Sequence, residues 1–168
     1  GQTLWRGIPV LGGDEALERF DPAAVGLING IGQLVGSRIR QDIYTRLRDS
    51  GFVFPALVHP AAWVCDTARL APGVQVMAGA IVQADCHIGE NSIINTRASV
   101  DHDCSIGAHV HIAPGATLCG SIGIGDGVFI GSGATVIQGL MVGEDAVIGA
   151  GVTLTRNLER DQIMLGPA

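Results

Sequence analysis

The sequence predicts a left-handed parallel β-helix, a triangular prism coiled from short strands, preceded by a partial α/β Rossmann-like domain. Three observations lead there. From Val58 to Thr153 the chain divides, without insertion, into sixteen blocks of six, beginning VHPAAW, VCDTAR, LAPGVQ and ending VIQGLM, VGEDAV, IGAGVT. The first residue of every block is Val, Ile or Leu, and the fifth is Ala, Val, Cys, Ser, Ile or Leu. Only 4% of the chain is aromatic although 47% is hydrophobic, so its core must be aliphatic, and 25 glycines suit a fold with many tight corners.

A strict period of six is neither the 3.6 of a helix nor the 2 of a hairpin stack. Each hexad reads as one short strand and one corner. Three hexads close a coil, and successive coils stack at the strand spacing of about 4.8 Å. Large first residues fill the prism, and small fifth residues fit beside the corners. Sixteen hexads give about five coils. The third and fourth positions are the corners, and the fifth to second positions form the strands.

The first 57 residues follow another pattern, so a domain boundary is placed between residues 1–57 and 58–168. "IPVLGG" reads as a short strand and "GDEALERF" as a short helix. "AAVGLINGIG" is a continuous apolar run of the buried parallel-strand type. "SRIRQDIYTRLRDSG" is an amphipathic helix, with Ser37 as its cap, Ile39, Ile43 and Leu47 as its apolar stripe, and Gly51 as its end. "FVFPALVHP" is a strand leading into the first coil. The opening strand and glycine turn that usually bind a nucleotide are not among these residues. The glycines of "GIGDG" and "GSGA" fall in hexad register and are corner residues.

Net charge is −6, with no lysine. Residues 58–168 hold four arginines against ten acids, whereas residues 1–57 hold six of each. An acidic repeat argues against nucleic acid as a partner. No apolar run approaches the roughly 20 residues of a membrane span, and no signal peptide is visible. The four cysteines lack close pairing and suit a reducing cytoplasm. The chain begins at Gly1 without an initiator Met, which suggests a preceding segment.

The chemistry gathers in "SVDHDCSIGAHVH", residues 99–111. In hexad register His102 and Asp103 project from one corner, Asp101 points outward just before it, and Gly120 stacks one coil above His102. His109 sits on the next corner, and His111 faces outward on the strand after it. Cys86 and Cys104 are stacked fifth positions inside the prism, while Cys65 and Cys119 face outward. Three readings compete. The stretch is a solvated turn. Or it belongs to a metal site like that of carbonic anhydrases of this fold, which hold zinc with three histidines between subunits; the candidates His87, His102, His109 and His111 lie on different faces, so no metal is expected. Or His102 is a general base, its tautomer fixed by Asp103 or Asp101, with the Gly120 N–H aimed at a developing oxyanion.

The run "INTRASVDHDCSIGAHVHIAPGATLCGSIGIGDGVFIGSGATVIQGLMVGEDAVIGAGVTLTRNL" resembles the NeuD/PglD family of sugar acyltransferases, which includes sialic acid O-acetyltransferases and N-acetyltransferases of nucleotide-linked 4-amino sugars. The stretch "AAVGLINGIGQLVGSRIRQDIYTRLRDSGFVFPALVHPAA" is similar to the small sugar-nucleotide domain of the same family. The resemblance implies acetyl transfer from acetyl-CoA to the amine of a nucleotide-linked amino sugar. It implies His102 as base, Asp103 as its acidic neighbour, His111 as a second active-site histidine and Asn95 as a polar contact. The Gly120 amide would meet the thioester carbonyl, and backbone groups of later coils, at Ser132 and Gly133, would hold acetyl-CoA. Arg156 or Arg160 could offset its phosphates, or be solvated tail residues, the reading favoured here. The family's glycine-rich opening turn is not matched, and the tail "MLGPA" departs from the G-x-P-A ending, near the adenine end of the CoA site. Two other readings stay open: O-acetylation of a sialic acid or related hydroxyl, and a metal-dependent hydratase or non-catalytic scaffold. A homotrimer is expected, because a corner histidine is shielded only when a second prism packs against it; His111 and Asn95 would then come from across the interface.

Overall fold

The computed structural model describes residues 4–166. From Leu57 onward the chain winds as a parallel β-helix of about six turns, its two-residue strands forming three flat faces. Face 1 has seven strands, from Leu57–Val58 to Ile163–Met164. Face 2 has six, from Trp63–Val64 to Thr153–Leu154, and face 3 has five, from Arg69–Leu70 to Met141–Val142. Every pairing along the hexads joins residues one coil apart, as Ser99 joins Thr117 and His111 joins Phe129. The count exceeds the five coils expected because pairing starts at Leu57, before the first block, and Ile163–Met164 stacks on Val147–Ile148 after the hexads end.

The strands are shorter than the register suggested, spanning only the sixth and first positions. First and fifth positions point inward, and Val82, Ile94, Val100, Ile112, Leu118 and Ile130 are wholly buried. Cys86 and Cys104 stack within this aliphatic column, as expected. Each donates its thiol to a carbonyl at the same corner in the next coil, Asp101 and Cys119 respectively, at 3.0 and 3.2 Å. At the corners from Gly73 onward, the fourth position takes a left-handed backbone. Glycine fills it in many coils, and Asp, Asn, Arg, Ser or His in the others; Asp103 has φ 60° and His109 φ 58°. Asp and Asn tolerate this region better than most side chains.

The N-terminal residues differ more from expectation. Leu4–Trp5 and Ile8–Pro9 form a two-stranded antiparallel ribbon, and "DEALER" is a 3₁₀ helix, Asp14–Arg19. The run "AAVGLINGIG" is not a buried strand: it makes a single bridge, Gly26 to Val53, and Ile28 and Ile31 are exposed. Its one buried side chain is polar, Asn29. The helix α1 spans Ile39–Asp49. Its cap position is Arg38, not Ser37, and no side chain caps it. Its buried residues are Arg40, Tyr44 and Leu47, while Ile39 is exposed. The inward stripe is thus rotated by one residue, because the surface it meets is the polar 3/1 corner of the prism rather than an apolar sheet. Gly51 does end the helix, at φ 92°.

Two features join α1 to the prism. Tyr44 is fully buried, and its hydroxyl hydrogen-bonds Glu90 at 3.2 Å and the Pro72 carbonyl at 3.3 Å. Burial, then Glu90, pushes its pKa up to about 12. A Cβ on Gly73 would stand 2.7 Å from the Tyr44 ring, so the corner must be glycine for the tyrosine to seat. Arg40, 3% exposed, donates from Nη1 to the Asn29 and Ile31 carbonyls at 2.8 and 2.6 Å, and more weakly to the Asn91 carbonyl. Burial lowers its pKa to about 10.

Candidate active site

His102 and Asp103 project from the corner between faces 2 and 3. The His102 Nδ1–H donates to Asp103 Oδ2 at 2.7 Å, which leaves Nε2 as the acceptor nitrogen. The Asp103 hydrogen bond, then the charge of Asp101, holds the His102 pKa above its ordinary value. Asp101 Oδ1 also accepts from the His102 main-chain N–H at 2.9 Å, stiffening the corner. The imidazole is exposed in the single chain.

Gly120 lies one coil above, as the register requires. A Cβ there would come 2.6 Å from His102 Cε1 and 2.7 Å from Nε2. Only glycine lets the ring lie flat over this corner. The flanking amides of Cys119 and Ser121 are bonded to Val136 and His102 carbonyls, and the Gly120 N–H has no such partner among the described residues. A base nitrogen therefore lies beside a glycine whose amide is unpartnered among the described residues, an arrangement suited to acyl transfer.

His111 and Asn95 are brought together with each other, but not with His102. Asn95 Nδ2 meets His111 Nε2 at 3.1 Å, where face 1 turns into face 2. His111 is only 8% exposed, because residues 29–38 run over face 1 and cover Gln75, Ile93 and His111. Its ring centroid lies 5.0 Å from that of Phe129. Burial lowers its pKa, while the Gln33 main chain works the other way. Ser132 and Gly133 belong to this same 1/2 corner, two coils above Asn95. The Gly133 amide is already bonded to Pro114 and the Ser132 carbonyl to Gly151, so a ligand there would use the Ser132 N–H or the Gly133 carbonyl.

Sequence reasoning missed a cavity of about 290 Å³ between residues 33–41 and the upper coils, lined by Gln33, Arg38, Arg40, His109 and Phe129 among others. Its His109 Nδ1 accepts from Asn91 Nδ2 at 3.0 Å, and burial lowers the His109 pKa. The clue lay in the polar residues of "NGIGQ", which contradict a buried apolar strand. The four histidines first weighed as metal ligands lie apart, and among the described residues no three His, Cys, Asp or Glu side chains gather as a potential metal site. No helix among the described residues is long and apolar enough to cross a membrane.

This prism with its exposed corner histidine is the architecture of hexapeptide acyltransferases. Residues 85–120 match the bacterial transferase hexapeptide (six repeats) family, and residues 121–156 match the hexapeptide repeat of succinyl-transferase. No curated protein matches the chain. Among solved structures it is similar to a histidine mutant of perosamine N-acetyltransferase from Caulobacter crescentus in complex with CoA and GDP-perosamine, with 39% identity, TM-score 0.85, and 95% of this chain and 75% of that one covered. It is similar to the acetyltransferase domain of PglB from Neisseria gonorrhoeae in complex with acetyl coenzyme A, with 36% identity, TM-score 0.90, and coverage of 99% and 80%. WeeI from Acinetobacter baumannii matches at 26% identity and TM-score 0.85, covering 98% and 78%. The chain belongs to the NeuD/PglD-like family of hexapeptide-repeat sugar acyltransferases.

Proposed function

We propose that the chain transfers acetyl from acetyl-CoA to the amine of a nucleotide-linked amino sugar, with His102 as general base. The observation that carries this reading is the His102–Asp103 pair packed against Gly120, whose N–H has no partner among the described residues. The perosamine and PglB relatives support the substrates, since their structures hold CoA with GDP-perosamine, and acetyl coenzyme A.

The amine must be neutral to attack. His102 Nε2 takes its proton as the nitrogen bonds to the thioester carbonyl carbon, and Asp103 stabilises the imidazolium that forms. The Gly120 N–H meets the oxyanion, which collapses with release of the CoA thiolate; the imidazolium proton goes to the departing sulfur. Much of the rate comes from holding both substrates in one groove.

Residues 1–57 serve as the part that holds the sugar nucleotide, at the cavity beside Gln33 and Arg40, and residues 58–168, winding left-handedly, carry the acyl transfer. His102 lies on the 2/3 corner and Asn95 with His111 on the 1/2 side, so the full site assembles only between copies. A homotrimer supplies that pairing, with acetyl-CoA running past Ser132 and Gly133 in the groove between prisms. The reaction is cytoplasmic, where acetyl-CoA is made.

The test is thiol release from acetyl-CoA with a panel of UDP-, GDP- and dTDP-linked 4-amino sugars and with sialic acid. Turnover with one of the amino sugars is expected. Turnover with sialic acid alone would replace the reading with O-acetylation, and no turnover with any acceptor would remove it.

A further inference from the structure

We infer that Cys104 is a positioning residue for acetyl transfer: from inside the prism its thiol holds the carbonyl of the Cys119–Gly120 peptide, which turns the Gly120 N–H outward toward the reacting thioester. The inference deepens the acetyl-transfer reading and rests on it for its kinetic test.

Cys104 is 1% exposed inside the aliphatic column, and its Sγ donates to the Cys119 carbonyl at 3.2 Å. That carbonyl therefore points into the prism. The peptides of the described residues are all trans, and a planar trans unit sets its C=O and N–H in opposite directions. The Gly120 N–H of the same unit thus points away from the core, and it has no partner among the described residues. A hydrogen bond at the carbonyl also polarises the amide and strengthens its N–H as a donor. Cys86 holds the matching peptide one coil below: its Sγ meets the carbonyl of the Asp101–His102 unit at 3.0 Å.

The need to satisfy a buried carbonyl does not account for these thiols. Each bond joins a fifth position to the second-position carbonyl 15 residues on. The same relation links Ala68 to Gln83 and Ile122 to Ile137, whose inner side chains cannot donate. The Gln83 and Ile137 carbonyls have no hydrogen-bond partner among the described residues, so the fold tolerates an empty carbonyl at this corner. Donors stand only beneath the two peptides that lead into His102 and Gly120. At other corners the fifth-position N–H closes the turn on that carbonyl, as Ala98 does on Asn95 and Ala116 on Ala113, but Asp101 and Cys119 lack this bond. At the 3/1 corner Ser92 Oγ donates to the Gly107 carbonyl at 2.9 Å in the same 15-residue relation, so a hydroxyl fits this geometry too.

The test compares Cys104→Ala, which removes the donor and leaves a residue common at fifth positions, with Cys104→Ser, which keeps a donor. Acetyl transfer is measured with the amino-sugar nucleotide that the wild type accepts, across pH. Cys104→Ala is expected to lower kcat by about 10- to 100-fold, with little change in KM for acetyl-CoA, and Cys104→Ser should recover most of the loss. The rising limb of the pH–rate profile should stay in place, because the His102–Asp103 pair is untouched. Wild-type kcat in a folded Cys104→Ala protein, equal losses in the alanine and serine variants, or a loss confined to KM would each overturn the inference. A second readout needs no turnover: the Cys119 carbonyl ¹³C shift and the Gly120 amide ¹⁵N shift should move in Cys104→Ala and return toward wild type in Cys104→Ser. Cys86→Ala should move the Asp101 carbonyl instead and leave that of Cys119 in place. A Cys119 carbonyl that does not move in Cys104→Ala would overturn the inference even if the acetyl-transfer reading stands. Should no amino sugar be turned over, that reading fails and these shifts alone decide whether the thiol orients the peptide.

Discussion

Each coil of the prism receives the same hydrogen bonds from the one before it. Asp101 N–H reaches Leu118 O, Cys119 N–H reaches Val136 O, and Ile137 N–H reaches Leu154 O. Residues 4–56 share no such repetition. Their polar anchors are individual: Asn29 O to Gln75, Gln33 to the His109 carbonyl, Arg40 to three carbonyls, Arg38 to Asp145. The prism carries its own core, so its conformation follows from its own hexads. The N-terminal segment buries few apolar side chains and takes its course from the prism surface beneath it. A base on the first region is thus set by local geometry, and the cavity on the second depends on docking.

That contrast is broken most strongly from inside the prism. Ile112→Ala removes a side chain with no exposure at the centre of the core and should cost about 2–5 kcal/mol of stability, whereas Ile39→Ala on exposed helix surface should stay within about 0.5 kcal/mol. Thermal or denaturant unfolding of the two variants measures both.

At the junction, Gly73→Ala places a Cβ against Tyr44 in a left-handed backbone, and should cost about 1–3 kcal/mol. The loss should fall on the docking of α1, so amide exchange should quicken in residues 29–54 while the coils above residue 100 stay protected.

Acid should separate the regions in the same way. His109 and His111 have lowered pKa values, so their contribution is intact above the ordinary histidine value of 6.5 and is lost as pH falls through the lower folded values. Glu90 and Asp126 partly offset this at His109, and Arg40 and Arg48 add to it. Exchange of the covering segment measured from pH 7 to pH 5 should rise before that of the prism core. His102 has the opposite sign: its raised pKa stabilises below 6.5 and is lost as pH rises through the folded value. Arg38→Ala should matter least. Its ion pair with Asp145 is exposed, and about 0–1 kcal/mol is expected by the same unfolding measurement.

The same physical difference decided what could be read from the sequence. Hexad register placed His102 and Asp103 on one corner, Gly120 above them and Cys104 over Cys86 inside, because a repeat of fixed period converts residue number directly into position. It failed at "AAVGLINGIG", where apolar content suggested a buried strand. Asn29 and Gln33 in fact bind prism carbonyls and side chains more than 40 residues away, which no local pattern encodes. The rotated stripe of α1 has the same cause: Arg40 and Tyr44 turn inward because their partners, Asn91 and Glu90, are corner residues of the prism. The pairing of Asn95 with His111 was beyond local pattern too, since it links a corner of one coil to a face of the next.

The central claim is that His102 is the base, and the direct measurement is acetyl transfer by His102→Ala across pH with a saturating amino-sugar acceptor. The side chain is exposed and contributes nothing to the core, so folding and acetyl-CoA binding should persist. Turnover should fall by about 10²- to 10⁴-fold, and the limb that rises through the elevated His102 pKa should disappear. Asp103→Asn should cost less and move that limb to lower pH, since the carboxylate is what raises the pKa. A folded His102→Ala enzyme with near-wild-type turnover and an unchanged pH profile would contradict the account and make "SVDHDC" a solvated corner.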